Sequence, residues 1–215
     1  MIDNAFVIVS GLPASGKSTL ARGLAAELGL PVIDKDMILE SLYDSLGIGD
    51  QAWRYRLSRA SDDILFALAA DAGRAVLVNW WHRDTAPARL QQLDAQLVEV
   101  FCDCDTGLVA ERFRTRKRHP GHLDQGLTRE EISDRVAVWA AHPGPLGLGG
   151  HSLTVDTAQA VDITALAEKV DALRSSPAPN VELTAANNPN STGRDGTGRD
   201  KPITPHPGEP SWSQQ

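Results

Sequence analysis

The chain has 215 residues, 41% of them hydrophobic and 23% charged, with a formal net charge of -7. That composition supports a water-soluble globular core, and the acidic balance excludes a protein that coats nucleic acid by neutralising phosphates, though not a small basic groove. Two cysteines, Cys102 and Cys104, exclude a disulfide framework and indicate a reducing compartment.

No apolar run is long enough to span a membrane, and Met1-Ile2-Asp3-Asn4 lacks the basic start of a signal peptide, so the expected location is cytoplasmic. Phe6-Val7-Ile8-Val9 is a continuous apolar run, the pattern of a strand buried on both faces. Directly after it comes Gly11-Leu12-Pro13-Ala14-Ser15-Gly16-Lys17-Ser18, a full Walker A phosphate-loop (P-loop) motif, G-x-x-x-x-G-K-[ST]. A helical pattern from Gly16 to Leu28 follows, so the motif lies between strand and helix, as its chemistry requires. Glycines let the backbone aim successive N–H groups at one phosphate, and the helix N-terminus adds partial positive charge. The nucleotide-binding residues are therefore Gly11, Pro13, Ala14, Ser15, Gly16, Lys17, Ser18 and Thr19. Lys17 is assigned to the β- and γ-phosphates of ATP, and the Ser18 hydroxyl to Mg²⁺.

Pro31-Val32-Ile33 reads as a second strand, ending in Asp34-Lys35-Asp36. Ligands of parallel sheets bind beyond the carboxyl ends of strands. A carboxylate there can take the proton of an attacking hydroxyl or hold Mg²⁺ through water. Asp36 is also placed to cap a helix expected over Met37 to Leu46.

The phosphate loop with Thr19, followed by Ile33-Asp34-Lys35-Asp36, resembles the small P-loop kinases of the AAA-type ATP-binding group related to polynucleotide kinase. Zeta-toxin kinases and chloramphenicol phosphotransferase are more distant relatives. The similarity covers roughly residues 5–174. It implies Asp36 as general base toward the acceptor hydroxyl, with Asp34 in support; Asp34 is read as a metal-shell residue beside Ser18 because the acid that usually ends strand three is Asn79 here. An arginine that such kinases carry just beyond the base is Ile38 here, which argues against a 5′-hydroxyl nucleic acid as acceptor.

Further on, an amphipathic helix is expected to bury Trp53, Leu57, Ile64, Leu65 and Leu68. Ala75 to Val78 reads as strand three and Leu97 to Phe101 as strand four. Strand three ends in Asn79-Trp80-Trp81-His82-Arg83, with Asn79 where many phosphate-loop proteins carry an acid. That weakens a motor-ATPase reading. Asn79, His82 and Arg83 are candidate acceptor neighbours, and the tryptophans either stack on a planar acceptor or pack.

A helix over about Thr106 to Arg116 runs into Arg112-Phe113-Arg114-Thr115-Arg116-Lys117-Arg118, a basic cluster in an acidic chain. Arg112 and Arg116, four apart, share a helix face and suit a lid that clamps the transferred phosphoryl. The resemblance implies the same two arginines. Arg114 and Arg118 read as surface or substrate-edge residues. His119 to Gly126 reads as a loop, with His119-Pro120-Gly121-His122 as hinge or substrate edge. These histidines with Cys102 and Cys104 raise a zinc site, but C-x-C is not knuckle spacing, and packed cysteines are the expectation. Thr128 and Glu131 form a capping box opening a helix with Ile132, Val136 and Trp139. His151 to Val155 is the fifth strand, and a last helix carries Ile163, Leu166, Val170 and Leu173. From Ser175 onward seven of the 13 prolines gather with few apolar residues, the composition of a disordered tail.

The expectation is an α/β three-layer αβα sandwich with a five-stranded, mostly parallel sheet in residues 1–174. A helical lid is expected at about 112–128 and a disordered tail at 175–215. The expected activity is ATP- and Mg²⁺-dependent transfer of the γ-phosphate to a hydroxyl of a small molecule or nucleotide. Nucleic acid enters only as a 5′-hydroxyl substrate, and no membrane partner is expected. The alternatives are an ATP-binding regulatory switch and a toxin-like kinase of nucleotide sugars.

Overall fold

A computed structural model describes residues 4–176. Five parallel strands form one sheet in the order β2-β3-β1-β4-β5: β1 Ala5–Gly11, β2 Val32–Asp34, β3 Arg74–Val78, β4 Gln96–Asp103 and β5 His151–Asp156. Every strand-to-strand connection therefore crosses a face of the sheet, and helices fill those crossovers. They are α1 Lys17–Leu28, α2 Lys35–Leu46, α3 Gln51–Ala72, α4 Ala86–Gln91, α5 Thr106–Thr115, α6 Arg129–Trp139 and α7 Ile163–Arg174.

Strand alternation builds two cores from one sheet. Val7, Val9, Val76, Val78, Val98 and Val100 face α1 and α7, where they meet Leu24, Leu166 and Val170. Phe6, Ile8, Ala75, Leu77 and Leu97 face the other way, toward Leu65 and Ala69 of α3 and Leu90 of α4. Glu99 belongs to the second face by the same alternation and is 2% exposed. It accepts from Ser10 Oγ at 2.5 Å and from the Leu146 amide on both oxygens at 2.8 and 3.0 Å.

The expected elements form, with shifted edges. The buried stripe of α3 is Leu57, Ser61, Leu65 and Ala69, while Ile64 and Leu68 are exposed. Residues four apart share a helix face, and the buried one runs through Leu57, Ser61, Leu65 and Ala69. Helix α4 lay outside the sequence expectation; Pro87 in its first turn pre-sets the backbone. The loop expected over His119 to Gly126 contains a 3-10 turn, Pro120–His122. The expected tail beyond Ser176 lies outside the described residues. No described helix is long and apolar enough to cross a membrane.

Candidate functional site

The phosphate loop joins β1 to α1 through three residues of positive φ: Gly11 at 134°, Ala14 at 65° and Gly16 at 99°. Gly11 has a second constraint. A Cβ there would stand 2.6 Å from the Cys102 carbonyl oxygen. The turn closes with Ser15 N–H donating to Leu12 O at 3.1 Å. Among the described residues Ser15 Oγ has no hydrogen-bond partner, and it is buried inside the loop. Lys17 Nζ donates to the carbonyls of Gly11 and Leu12 at 2.9 and 2.7 Å, so its ammonium lies over the loop. Burial lowers its pKa to about 8, against the opposing pull of Cys102 and Asp36.

Helix α2 begins two residues earlier than its sequence pattern suggests. Asp34, not Asp36, is the N-cap: its Oδ1 accepts from the Asp36 amide at 3.0 Å. Oδ2 of Asp34 accepts from Ser18 Oγ at 2.8 Å. Burial raises the Asp34 pKa, opposed by the Ser18 hydrogen bond. A hydroxyl that gives its proton to a buried carboxylate keeps oxygen lone pairs for a hard cation, so Ser18 with Asp34 fits Mg²⁺. Among the described residues no group of three His, Cys, Asp or Glu could hold a metal. Cys102 and Cys104 are free and buried, and burial pushes the Cys102 thiol up to about 12.

Asp36, the second residue of α2, is bound differently. Its Oδ2 accepts from Arg118 Nη2 at 2.5 Å, and among the described residues no donor is bonded to its Oδ1. Burial alone would raise the Asp36 pKa. The charge of Arg118, then of His122 and Lys35, outweighs it, and the carboxyl is held below its ordinary range. Arg118 was expected at the surface or the substrate edge. Its side chain is 19% exposed, and Asp124 Oδ2 accepts from its Nη1 at 2.9 Å. Sequence reasoning missed this pairing because 82 positions separate Arg118 from Asp36.

The two expected lid arginines part company. Arg116 lies 4.2 Å over the Phe113 ring, 3.6 Å from Asp124, and close enough to Lys17 and Asp36 to act on both charges. Burial lowers its pKa to about 10, which leaves it cationic at neutral pH. Arg112 donates two N–H bonds, both 3.0 Å, to the Thr157 carbonyl beyond β5. A Cβ on Gly16 would meet Thr157 at 3.9 Å, so Arg112 borders the start of α1 and not Asp36.

The end of β3 contributes walls. Asn79 Nδ2 donates to Asp62 Oδ1 of α3 at 2.8 Å, which brings a carboxylate beside the strand end from another element. Trp81 is 5% exposed and its indole N–H donates to Val9 O at 2.9 Å, so it is a core residue. Trp80 packs against Trp139, ring centroids 6.0 Å apart, and Trp139 against Phe113 at 5.4 Å. Arg83 is engaged by the segment before β5. It donates to Pro145 O at 2.8 Å and to Gly144 O.

A family profile described as an AAA domain matches residues 6–137. The structure is similar to a presumed kinase from Chloroflexus aurantiacus j-10-fl, with TM-score 0.70 and 30% identity, covering 79% of this chain and 97% of that one. The fold also matches shikimate kinase from Bacteroides thetaiotaomicron, with TM-score 0.53, 17% identity, and 79% and 97% coverage. A gluconokinase from Sinorhizobium meliloti 1021 gives TM-score 0.52, 17% identity, and 80% and 94% coverage. Among curated sequences, 42 residues are 43% identical to a cytidylate kinase of Ignicoccus hospitalis, over 20% of this chain and 24% of that protein. Thirty residues are 63% identical to a shikimate kinase of Paracidovorax citrulli, over 14% of this chain and 16% of that protein. The chain thus spans less than a quarter of either curated relative.

Proposed function

The chain belongs to the AAA domain family and has the P-loop kinase fold; from that premise we propose that it transfers the γ-phosphate of ATP to a hydroxyl of a small molecule or nucleotide. The supporting observation is the division between two aspartates. Asp34 has both oxygens engaged, by Ser18 and by the Asp36 amide, whereas among the described residues Asp36 keeps one oxygen open. Only the second can accept a proton from an incoming hydroxyl without breaking a cap.

In this reading the loop from Gly11 to Thr19 cradles the phosphates, and Lys17 neutralises the oxygens nearest the transfer. Mg²⁺ would be held by Ser18 with Asp34 behind it, and when bound it neutralises charge developing between the β- and γ-phosphates. Asp36 Oδ1 orients the acceptor hydroxyl and takes its proton as the new oxygen–phosphorus bond forms. Arg116 stabilises the oxygens of the transferring phosphoryl. Arg112, beside Thr157 and Gly16, borders the nucleotide instead. The position two residues beyond Asp36 that would suit a nucleic-acid 5′-end carries Ile38, which packs against the core, so a small acceptor is favoured.

The test is ADP release from Mg·ATP with a panel of hydroxyl acceptors: nucleosides and nucleoside monophosphates, D-gluconate, shikimate, UDP-N-acetylglucosamine and a 5′-hydroxyl oligonucleotide. Stimulation by one class, lost in Asp36→Asn, is the expected result. ATP hydrolysis that no hydroxyl compound accelerates, and that Asp36→Asn leaves unchanged, would refute the assignment.

A further inference from the structure

Asp36, Glu40, Tyr43 and Asp44 recur at i, i+4, i+7 and i+8 along α2, so they share one face of that helix. The segment from Arg118 to His122 lies along this face and meets it residue by residue. Arg118 bonds Asp36 at 2.5 Å, His122 Nε2 is 2.9 Å from Glu40 Oε1, and His119 Nε2 is 3.1 Å from Asp44 Oδ1. The Tyr43 ring stacks on His119 with centroids 5.3 Å apart and meets His122 edge-on at 5.7 Å. Gly121 crosses so close to that ring that a Cβ would stand 2.4 Å from Tyr43 Cδ2. Asp124 then returns to Arg118, its own side chain only 10% exposed.

An isolated surface Arg–Asp pair contributes little. Here two carboxylates grip one planar guanidinium, and the backbone that carries it is docked through His119, Gly121 and His122. The Asp36 side chain is 46% exposed, so without Arg118 its carboxylate would be free to turn. We infer that Arg118 is a positioning residue: it takes Asp36 Oδ2 and so aims Oδ1 at the acceptor hydroxyl, while docking of Arg118–His122 on α2 and the Asp124 carboxylate fix Arg118 in place. Arg116, two residues earlier, rides on the same segment. Docking therefore aligns the base and presents the phosphoryl clamp in one event. The inference rests on Asp36 being the acceptor base.

The experiment measures ADP release from Mg·ATP by the full chain with water as acceptor, for wild type, Asp36→Asn, Arg118→Gln, Arg118→Lys and Gly121→Ala. Arg118→Gln is expected to lower kcat roughly tenfold to a hundredfold with KM for ATP within about twofold, the mark of lost alignment and not of lost binding. Arg118→Lys, which keeps the charge but not the fork, recovers part of the loss. Added to Asp36→Asn, Arg118→Gln costs nothing more. Gly121→Ala touches neither charge and is expected to reproduce Arg118→Gln by undocking the segment. An unchanged kcat in Arg118→Gln, with a loss in Asp36→Asn, removes the inference and leaves the base assignment standing. No loss in Asp36→Asn removes both. A second measurement does not depend on turnover. Slowly rotating, separate Nη signals of the Arg118 guanidinium are expected by nitrogen-15 NMR in the wild type, collapsing in Asp36→Asn and in Gly121→Ala. A freely rotating Arg118 guanidinium in the wild-type protein overturns the inference.

Discussion

Asp34 and Asp36 are two positions apart, and their surroundings bind them differently. One is tied into the start of α2 and onto Ser18; the other is held on one side only. Asp36→Asn is therefore expected to leave ATP affinity intact and to lower transfer by about two to four orders of magnitude, the usual worth of a general base. Calorimetric ATP binding beside ADP release separates the two effects. Gly11→Ala is expected to abolish ATP binding in the same calorimetric measurement. Its Cβ would collide with a backbone carbonyl at 2.6 Å, at a φ of 134° that side chains rarely adopt. The identity of the loop residues was legible from the motif alone, because its chemistry is local. The partner of Asp36 was not. Arg118 reads from the sequence as a surface or substrate-edge residue, and nothing within a few residues of it points to Asp36.

Among the elements, α6 has a complete start signal. Thr128 Oγ1 accepts from the Glu131 amide at 3.2 Å, and Glu131 Oε2 accepts from the Thr128 amide at 2.7 Å. Thr128→Ala is expected to lower stability by about 1 kcal/mol, read as a shift in the urea midpoint with unchanged slope. The Arg118–His122 segment adds a dependence on pH. Burial, and then the charge of Arg118, hold the His122 imidazole below its ordinary 6.5, against the opposing pull of Asp36 and Glu40. The unfolded chain therefore binds the proton more readily than the folded one. This contribution to stability is complete above about pH 6.5 and is lost as pH falls through the folded value. The urea midpoint is expected to drop between pH 7.5 and 5.5, and to drop less in His122→Gln. An equal drop in both would place the titration elsewhere. Element type was readable from periodicity for the strands and the longer helices, but not for the short α4 or the 3-10 turn, and edges were not readable. Helix α2 starts at Lys35 because Asp34 supplies the cap, a choice between two aspartates that only the geometry of the strand end makes.

At the scale of the molecule, Glu99 binds distant parts of the chain together. From the middle of β4 it holds Ser10 at the end of β1, just before the phosphate loop, and the Leu146 amide of the segment covering α4's side of the sheet. Burial raises its pKa against these hydrogen bonds. Glu99→Ala leaves two buried donors without an acceptor, each worth about 1–3 kcal/mol, so a stability loss of roughly 2–5 kcal/mol is expected in urea denaturation. The sequence by itself determined the alternation of strand and helix, and through it a parallel three-layer sandwich with a phosphate loop after its first strand. Those features depend on neighbours in the chain: apolar period, glycine at positive φ, a lysine at fixed spacing. Only the tertiary structure decided which aspartate stays open, that Arg118 and not Arg112 reaches it, that Trp81 is core, and that a buried Glu99 closes the far side. Most of these rest on contacts between residues tens of positions apart. Pairing over such distances is set by how the layers stack, and local pattern carries no record of it.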